Sequence, residues 1–125
     1  MERAIPVLPV TDLDVAKAFY VDGLGFDVRF NVRTGEDGDT TTGLLGVELG
    51  GIVVTLDCPM SGHGRDACVS LEVADADVYY NRWRERVSIE RAPQNEPWGA
   101  RTFSVHDPFG NTIFVMGPVK DDTDA

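Results

Sequence analysis

The chain has 125 residues, enough for one domain with a sizeable core and too few for two ordinary ones. Hydrophobic residues make up 42% and charged residues 26%, the balance of a globular protein. No run nears the 18 uninterrupted apolar residues of a helical membrane span, which excludes one. With 21 acidic residues against 11 basic ones the formal net charge is −10. A negative field argues against nucleic acid, whose binders neutralise phosphates, and is compatible with a cationic ligand.

In chain order, the N-terminus Met1-Glu2-Arg3-Ala4-Ile5-Pro6 has neither the basic region nor the apolar run of a secretion signal, so a cytoplasmic location is expected. A strand is predicted over 3–10. Thr11-Asp12-Leu13-Asp14 then opens a helix, with a cap and acids in the first turn. Leu13, Val15, Ala16, Ala18, Phe19 and Tyr20 recur at helical spacing, and Gly23-Leu24-Gly25 stops the helix. Strands follow over 26–33, 41–49 and 51–58, with turns at Glu36-Asp37-Gly38-Asp39 and Gly50-Gly51.

The pattern then repeats. After a Gly-rich loop around His63, a strand is predicted over 67–73. Asp75 opens a second helix with the stripe Ala76, Tyr79, Tyr80, Trp83 and Val87. Strands are predicted near 88–91, over 101–106 and over 111–117, the last two joined by Asp107-Pro108-Phe109-Gly110-Asn111. The helix openings "Val10-Thr-Asp-Leu-Asp-Val15" and "Val73-Ala-Asp-Ala-Asp-Val78" agree at four of six positions with an offset of 63 residues. The same offset carries Phe26-Asp27 onto Ile89-Glu90. Two βαβββ modules are expected, about 1–60 and 65–119, combined in one domain over 1–119 because neither alone can bury its sheet face. Lys120 to Ala125 adds three acids and is expected to be a disordered tail over 120–125.

Side chains alternate along a strand. One set is aliphatic, with Ile52, Val54, Leu56, Val69, Leu71, Val73, Ile113 and Val115, and should form the core beneath the helices. The other set is mixed, with Val53, Thr55, Asp57, Cys68, Ser70, Glu72, Thr112, Phe114 and Met116. Phe114 and Met116 are poor residues to leave in water, so this face is expected to line a cup. The alternative is a plain solvent-exposed face. Phe30 shares alternation with Phe26 and Val28 and is expected in the core, as is Trp83 from its helical spacing.

The doubled βαβββ unit, "Asp-Leu-Asp-Val-Ala-Lys-Ala-Phe-Tyr…Gly-Leu-Gly-Phe" over 12–26 and "Asp-Pro-Phe-Gly-Asn" over 107–111 resemble the vicinal oxygen chelate superfamily across about residues 4–117. That superfamily holds glyoxalase I, extradiol dioxygenases, fosfomycin resistance enzymes and bleomycin resistance proteins. "Glu96-Pro97-Trp98-Gly99-Ala100-Arg101" looks most like the bleomycin resistance branch. The resemblance implies an α+β fold in which the two modules form a curved mixed sheet around a cup, and a homodimer.

The superfamily's enzymes hold a divalent metal through side chains from the first and fourth strands of each module. By resemblance those positions fall here on Ile5, Thr55, Cys68 and Phe114, with Phe114 replacing the glutamate of "Gly-Asn-x-Ile-Glu". Isoleucine and phenylalanine offer no lone pair, and a lone thiolate with a threonine makes a poor site. No metal, no other cofactor and no catalytic residue is therefore expected. The histidines, His63 and His106, stand apart from one another, and Cys58 and Cys68 are too few for a disulfide framework. A Cys68–His106 nucleophile–base pair has no support from spacing.

Resemblance to bleomycin resistance proteins implies sequestration of a small, cationic, aromatic molecule in a shared groove. That needs aromatic faces, an apolar wall and negative charge. The expected ligand-binding residues are Trp98, Phe114, Asp57, Thr55, Ser70, Cys68, Glu96 and Met116. For Trp98, packing at the dimer interface is the competing role. Two rival readings remain at this stage: a metal-dependent glyoxalase-like lyase or extradiol dioxygenase with an atypical site, and a homodimeric module whose cup is vestigial.

Overall fold

The structure is a computed structural model and describes residues 2–58 and 66–121. Its first half contains β1 (Val7–Pro9), α1 (Leu13–Lys17), a π-helical segment (Ala18–Gly23), β2 (Asp27–Arg33), β3 (Gly43–Leu49) and β4 (Ile52–Cys58). The second half contains β5 (Cys68–Glu72), α2 (Ala76–Trp83), β6 (Gln94–Asn95), β7 (Ala100–His106) and β8 (Thr112–Pro118). The strands divide into two mixed four-stranded sheets, ordered β1-β4-β3-β2 and β5-β8-β7-β6. In each, the first strand lies parallel to the fourth and the hairpins are antiparallel. The two βαβββ halves thus have one topology.

Both helices begin as the repeat suggests. Asp12 and Asp75, 63 residues apart, take extended backbone angles and accept hydrogen bonds from the amides that follow: Asp12 from Asp14 and Val15, Asp75 from Asp77. The cap of the first helix is Asp12, one residue later than expected, because its carboxylate reaches two amides. That helix does not run regularly to Gly23. From Ala18 it widens into a π-helical turn, closed by a bond from the Leu24 amide to the Phe19 carbonyl.

The aliphatic strand set forms the core. Val54, Leu56, Val69, Leu71, Val73, Ile113 and Val115 are buried, and Ile52 packs at the margin. Leu13, Ala16, Tyr20, Ala76 and Trp83 join them from the helical side, and Trp83 is fully buried as expected. Near the end of α2 the guanidinium groups of Arg82 and Arg84 lie over the rings of Tyr79 and Tyr80.

Three expectations need correction. The strand predicted near 88–91 is irregular chain, and the corresponding strand is the two-residue β6 at Gln94–Asn95. Phe30 is not in the core. A register shift between Val28 and Phe30 reverses the alternation, as a bulge does, so Phe26 is buried while Phe30 is 38% exposed on the opposite face. The chain near residue 120 is also held. Lys120 Nζ contacts Asp75 at 2.7 Å and Asp77 at 2.9 Å, and the Lys120 amide donates to Asn95 Oδ1. Residues 122–125 of the expected tail, and His63 with its loop, lie outside the described residues.

Candidate functional site

The face of each sheet turned away from the helices carries the mixed residues, and the registers arrange them in cross-strand rows. In the first sheet, Val7 pairs with Thr55, Thr55 with Gly46 and Gly46 with Phe30. The Phe30 ring lies across Gly46, where any Cβ would overlap it. Val7 and Val32 are exposed on the same face. The result is an apolar surface on which Thr55 provides a hydroxyl.

In the second sheet Ser70 pairs with Phe114 and Phe114 with Ser104, Cys68 with Thr112 and Thr112 with His106, and Glu72 with Met116. Cys68, Ser70 and Glu72 are exposed, whereas Thr112, Phe114 and Met116 are half-buried. The expected residues Cys68, Ser70, Phe114 and Met116 therefore share one surface. Thr55 and Asp57 share the other, with Asp57 opposite Leu44 and Pro9.

His106 and Thr112 are in contact, with Nδ1 and Oγ1 3.1 Å apart. The fold brings Cys68 and His106 onto one row with Thr112 between them, a placement that their sequence separation does not reveal.

Trp98 stands on the turn between β6 and β7. The amide of Glu96 donates to the Ala100 carbonyl at 2.7 Å, and the amide of Gly99 donates to the Glu96 carbonyl at 3.1 Å. Gly99 has φ +101°, a value that favours glycine. The backbone closes this turn without the indole, which is 61% exposed. Within the described residues Trp98 does not hold the hairpin together.

Glu96, an expected ligand-binding residue close to Trp98 in sequence, has its carboxylate engaged. It accepts from Thr102 Oγ1 at 2.9 Å and lies 3.4 Å from Arg91 Nη2 and from Gln94 Nε2. The hairpin is also tied to α2. Arg101 donates from Nε to Asp77 Oδ2 at 2.9 Å and from Nη2 to Asp77 Oδ1 at 3.3 Å. Burial opposes ionisation of Asp77, but hydrogen bonds from Lys120 and Arg101 outweigh it and hold its carboxyl below the usual range. The hydrogen bond from Lys120 likewise lowers Asp75.

The divalent metal implied by the resemblance does not fit these side chains. Ile5 and Phe114 have no donor atom, Thr55 offers one weak hydroxyl, and Cys68 is the single strong ligand of the four. Among the described residues no group of three or more His, Cys, Asp or Glu side chains could hold a metal ion.

Comparison with known proteins agrees with the topology. Residues 4–115 match the family described as the Glyoxalase/Bleomycin resistance protein/Dioxygenase superfamily. The chain belongs to that superfamily. Among solved structures, the bleomycin-binding protein from bleomycin-producing Streptomyces verticillus, complexed with copper(II)-bleomycin, is 27% identical. That comparison covers 95% of this chain and 98% of the other, with a TM-score of 0.73. A glyoxalase/bleomycin resistance protein from Streptomyces sp. CB03234 is 30% identical over 91% of this chain and 98% of its own, at TM-score 0.68. A superfamily member from Sphaerobacter thermophilus is 27% identical over 94% and 98%, at 0.71. Among curated proteins none matches.

Sequence reasoning missed Phe30 as a surface residue, and it put Glu72 on the mixed face without counting it among the binding residues. For Glu72 the signal was present, since it alternates with Cys68 and Ser70. For Phe30 it was not, because a one-residue register shift leaves no mark in the string of residue types.

Proposed function

We propose that this protein binds a flat, cationic, aromatic small molecule of the bleomycin type and sequesters it without chemical change. The observation that carries the reading is Trp98. A bare indole on a backbone-closed turn, 61% exposed, is a costly surface to keep in water and a good surface for a planar ring. Phe114 and Met116 supply an apolar wall, Ser70 and Thr55 supply hydroxyls, and Phe30 adds a second exposed aromatic. Cys68 and Asp57 complete the proposed lining. The net charge of −10 favours approach of a cation.

The reading includes a homodimer. Val7, Phe30 and Val32 leave the open face of the first sheet apolar, and on the second Arg91 and Glu96 cover the end at Thr102. A shared groove between two copies would bury both faces. It also includes one domain over 1–119, since residues of both halves contribute to one core cluster. Ile5 and Phe114, which have no donor atom, at two of the four positions the resemblance assigns to the metal disfavour a metal-assisted lyase or dioxygenase.

The test is tryptophan fluorescence. Of the two tryptophans, Trp83 is fully buried and Trp98 is exposed, so quenching by added bleomycin reports on Trp98. Saturable quenching is expected in the wild type. In Trp98→Phe the stack is kept in reduced form, and in Trp98→Ala affinity should fall at least about fivefold, as an aromatic contact contributes on the order of 1 kcal/mol. Equal affinity in Trp98→Ala, read by calorimetry, would remove Trp98 from the site.

A further inference from the structure

A pocket lies at the end of the second sheet that carries the Trp98 hairpin. Glu72, Val73, Ala100, Met116, Gly117 and Pro118 line a volume of 310 Å³. Most of these groups are apolar. Gly117 lies close against backbone, since a Cβ there would stand 3.1 Å from the Ala76 amide nitrogen and 3.2 Å from the Val73 carbonyl oxygen. Ala100 follows Trp98 by two residues, so the pocket opens beside the turn that presents the indole.

Among the described residues, the charges of Arg101, Lys120 and Glu96 near it are paired, and that of Glu72 is not. Arg101 is forked onto Asp77. Lys120 bridges Asp75 and Asp77. Glu96 is taken up by Thr102 and Arg91. Two carboxylates thus meet two cations at the start of α2, and the field they leave is small. Glu72 is exposed, and no hydrogen bond or ion pair engages its carboxylate among the described residues. An unpaired anion at the rim of an apolar recess interacts with a cation more strongly than one in open water, because the wall excludes solvent from one side.

We propose that this pocket takes the alkylammonium or guanidinium group of a bound ligand, with Glu72 as its counter-ion, while the ligand's ring stacks on Trp98. The proposal rests on the small-molecule reading above and adds to it the class of group recognised and the residue that recognises it. Met116 and Pro118 would pack the methylene groups of the cationic arm. Glu72, rather than Glu96, is the charge that selects cationic ligands.

The experiment uses two fluorescent probes that share an acridine ring, one with a propylammonium arm and one with a 3-hydroxypropyl arm, titrated into the full chain at low salt. The wild type should bind the ammonium probe at least about fivefold tighter than the hydroxyl probe, and added salt should shrink the difference. Glu72→Gln should bring the two affinities together. Ala100→Leu, which fills the recess, should do the same, with circular dichroism confirming that both variants fold. Trp98→Ala should weaken both probes alike.

A preference for the ammonium arm that survives in Glu72→Gln overturns the proposal. So does the lack of any preference, or of any binding, in the wild type. Parallel titration with bleomycin separates this claim from the one before it. Bleomycin bound equally by wild type and Glu72→Gln removes the pocket and leaves sequestration standing. A Glu72-dependent probe preference without bleomycin binding removes that drug and leaves the pocket.

Discussion

Tyr20 and Trp83 stand 63 residues apart at equivalent positions of the two halves, and each sends its one polar atom into the opposite half. The Tyr20 hydroxyl donates to Asp107 Oδ2 at 2.7 Å, and the Trp83 indole donates to the Leu24 carbonyl at 2.8 Å. Both rings are buried. Burial first, and the Asp107 carboxylate beside it, push the Tyr20 hydroxyl far above its ordinary pKa, so it remains a donor at any working pH. The two halves are locked by reciprocal bonds, and the relative placement of their open faces depends on that lock. Asn111 adds a third tie, donating from Nδ2 to the Pro9 carbonyl at 2.8 Å.

Removing either donor should therefore destabilise the whole chain. Tyr20→Phe is expected to cost about 1.5–3 kcal/mol, the range for a hydrogen bond to a charged group. The lower end is favoured, because Asn111 Nδ2 still donates to the same carboxylate oxygen. Trp83→Phe leaves the Leu24 carbonyl without this donor and a void beside it, so a loss of at least about 2 kcal/mol is expected. Urea unfolding with an unchanged slope measures both. A Trp83→Phe variant as stable as the wild type would contradict the lock.

Acid should loosen the Trp98 hairpin through Lys120. Asp75 and Asp77 are both held below the usual carboxylate range. Their folded pKa values lie below their unfolded ones, so the stability they contribute is present above the unfolded value of about 3.9. It is lost as pH falls through the folded values. Lys120→Met should lower the urea midpoint at neutral pH, and the gap from wild type should narrow as pH is taken below about 4. An equal gap at both pH values would assign the effect of Lys120 to packing.

Gly46 controls the position of Phe30. Any Cβ there would overlap the ring, yet the ring is at the surface and can swing away. Gly46→Ala should fold and move Phe30 off the Val7–Thr55 row. Phe30→Ala should alter stability by less than about 1 kcal/mol, since the side chain is 38% exposed. Each variant should lower ligand affinity if Phe30 lines the site, and calorimetric titration with bleomycin reads this directly.

The two cysteines should differ sharply in reactivity. Cys58 is buried, and burial, with Asp12, Asp39 and Asp57 nearby, pushes its thiol up. Cys68 is exposed. A thiol reagent at pH 8 should label one equivalent quickly and the second only on unfolding. Cys68→Ser should remove the fast equivalent.

The repeat, the burial of the aliphatic strand faces and the start of the second helix at Asp75 were legible from residue types, because each depends on local spacing. The same spacing put the mixed residues Cys68, Ser70, Phe114 and Met116 on one surface. What was not legible depended on register or on partners remote in sequence. A two-residue strand at Gln94–Asn95 has no alternation to detect, and Ile89 and Val87 were apolar for packing against the core from irregular chain. Phe30 changed face through a register shift. The contacts of Glu96 with Thr102 and Arg91 have no signature in local spacing, and Lys120 looked like tail until it met the start of α2.

The central claim is binding without chemistry, and the most direct measurement joins the two halves of that statement. Protein treated with chelator is titrated with metal-free bleomycin by calorimetry, and the ligand is then released by denaturant and weighed by mass spectrometry. Saturable binding with the ligand recovered at its original mass is the expected result. Heat that requires an added divalent metal, or a recovered ligand of altered mass, would contradict the account.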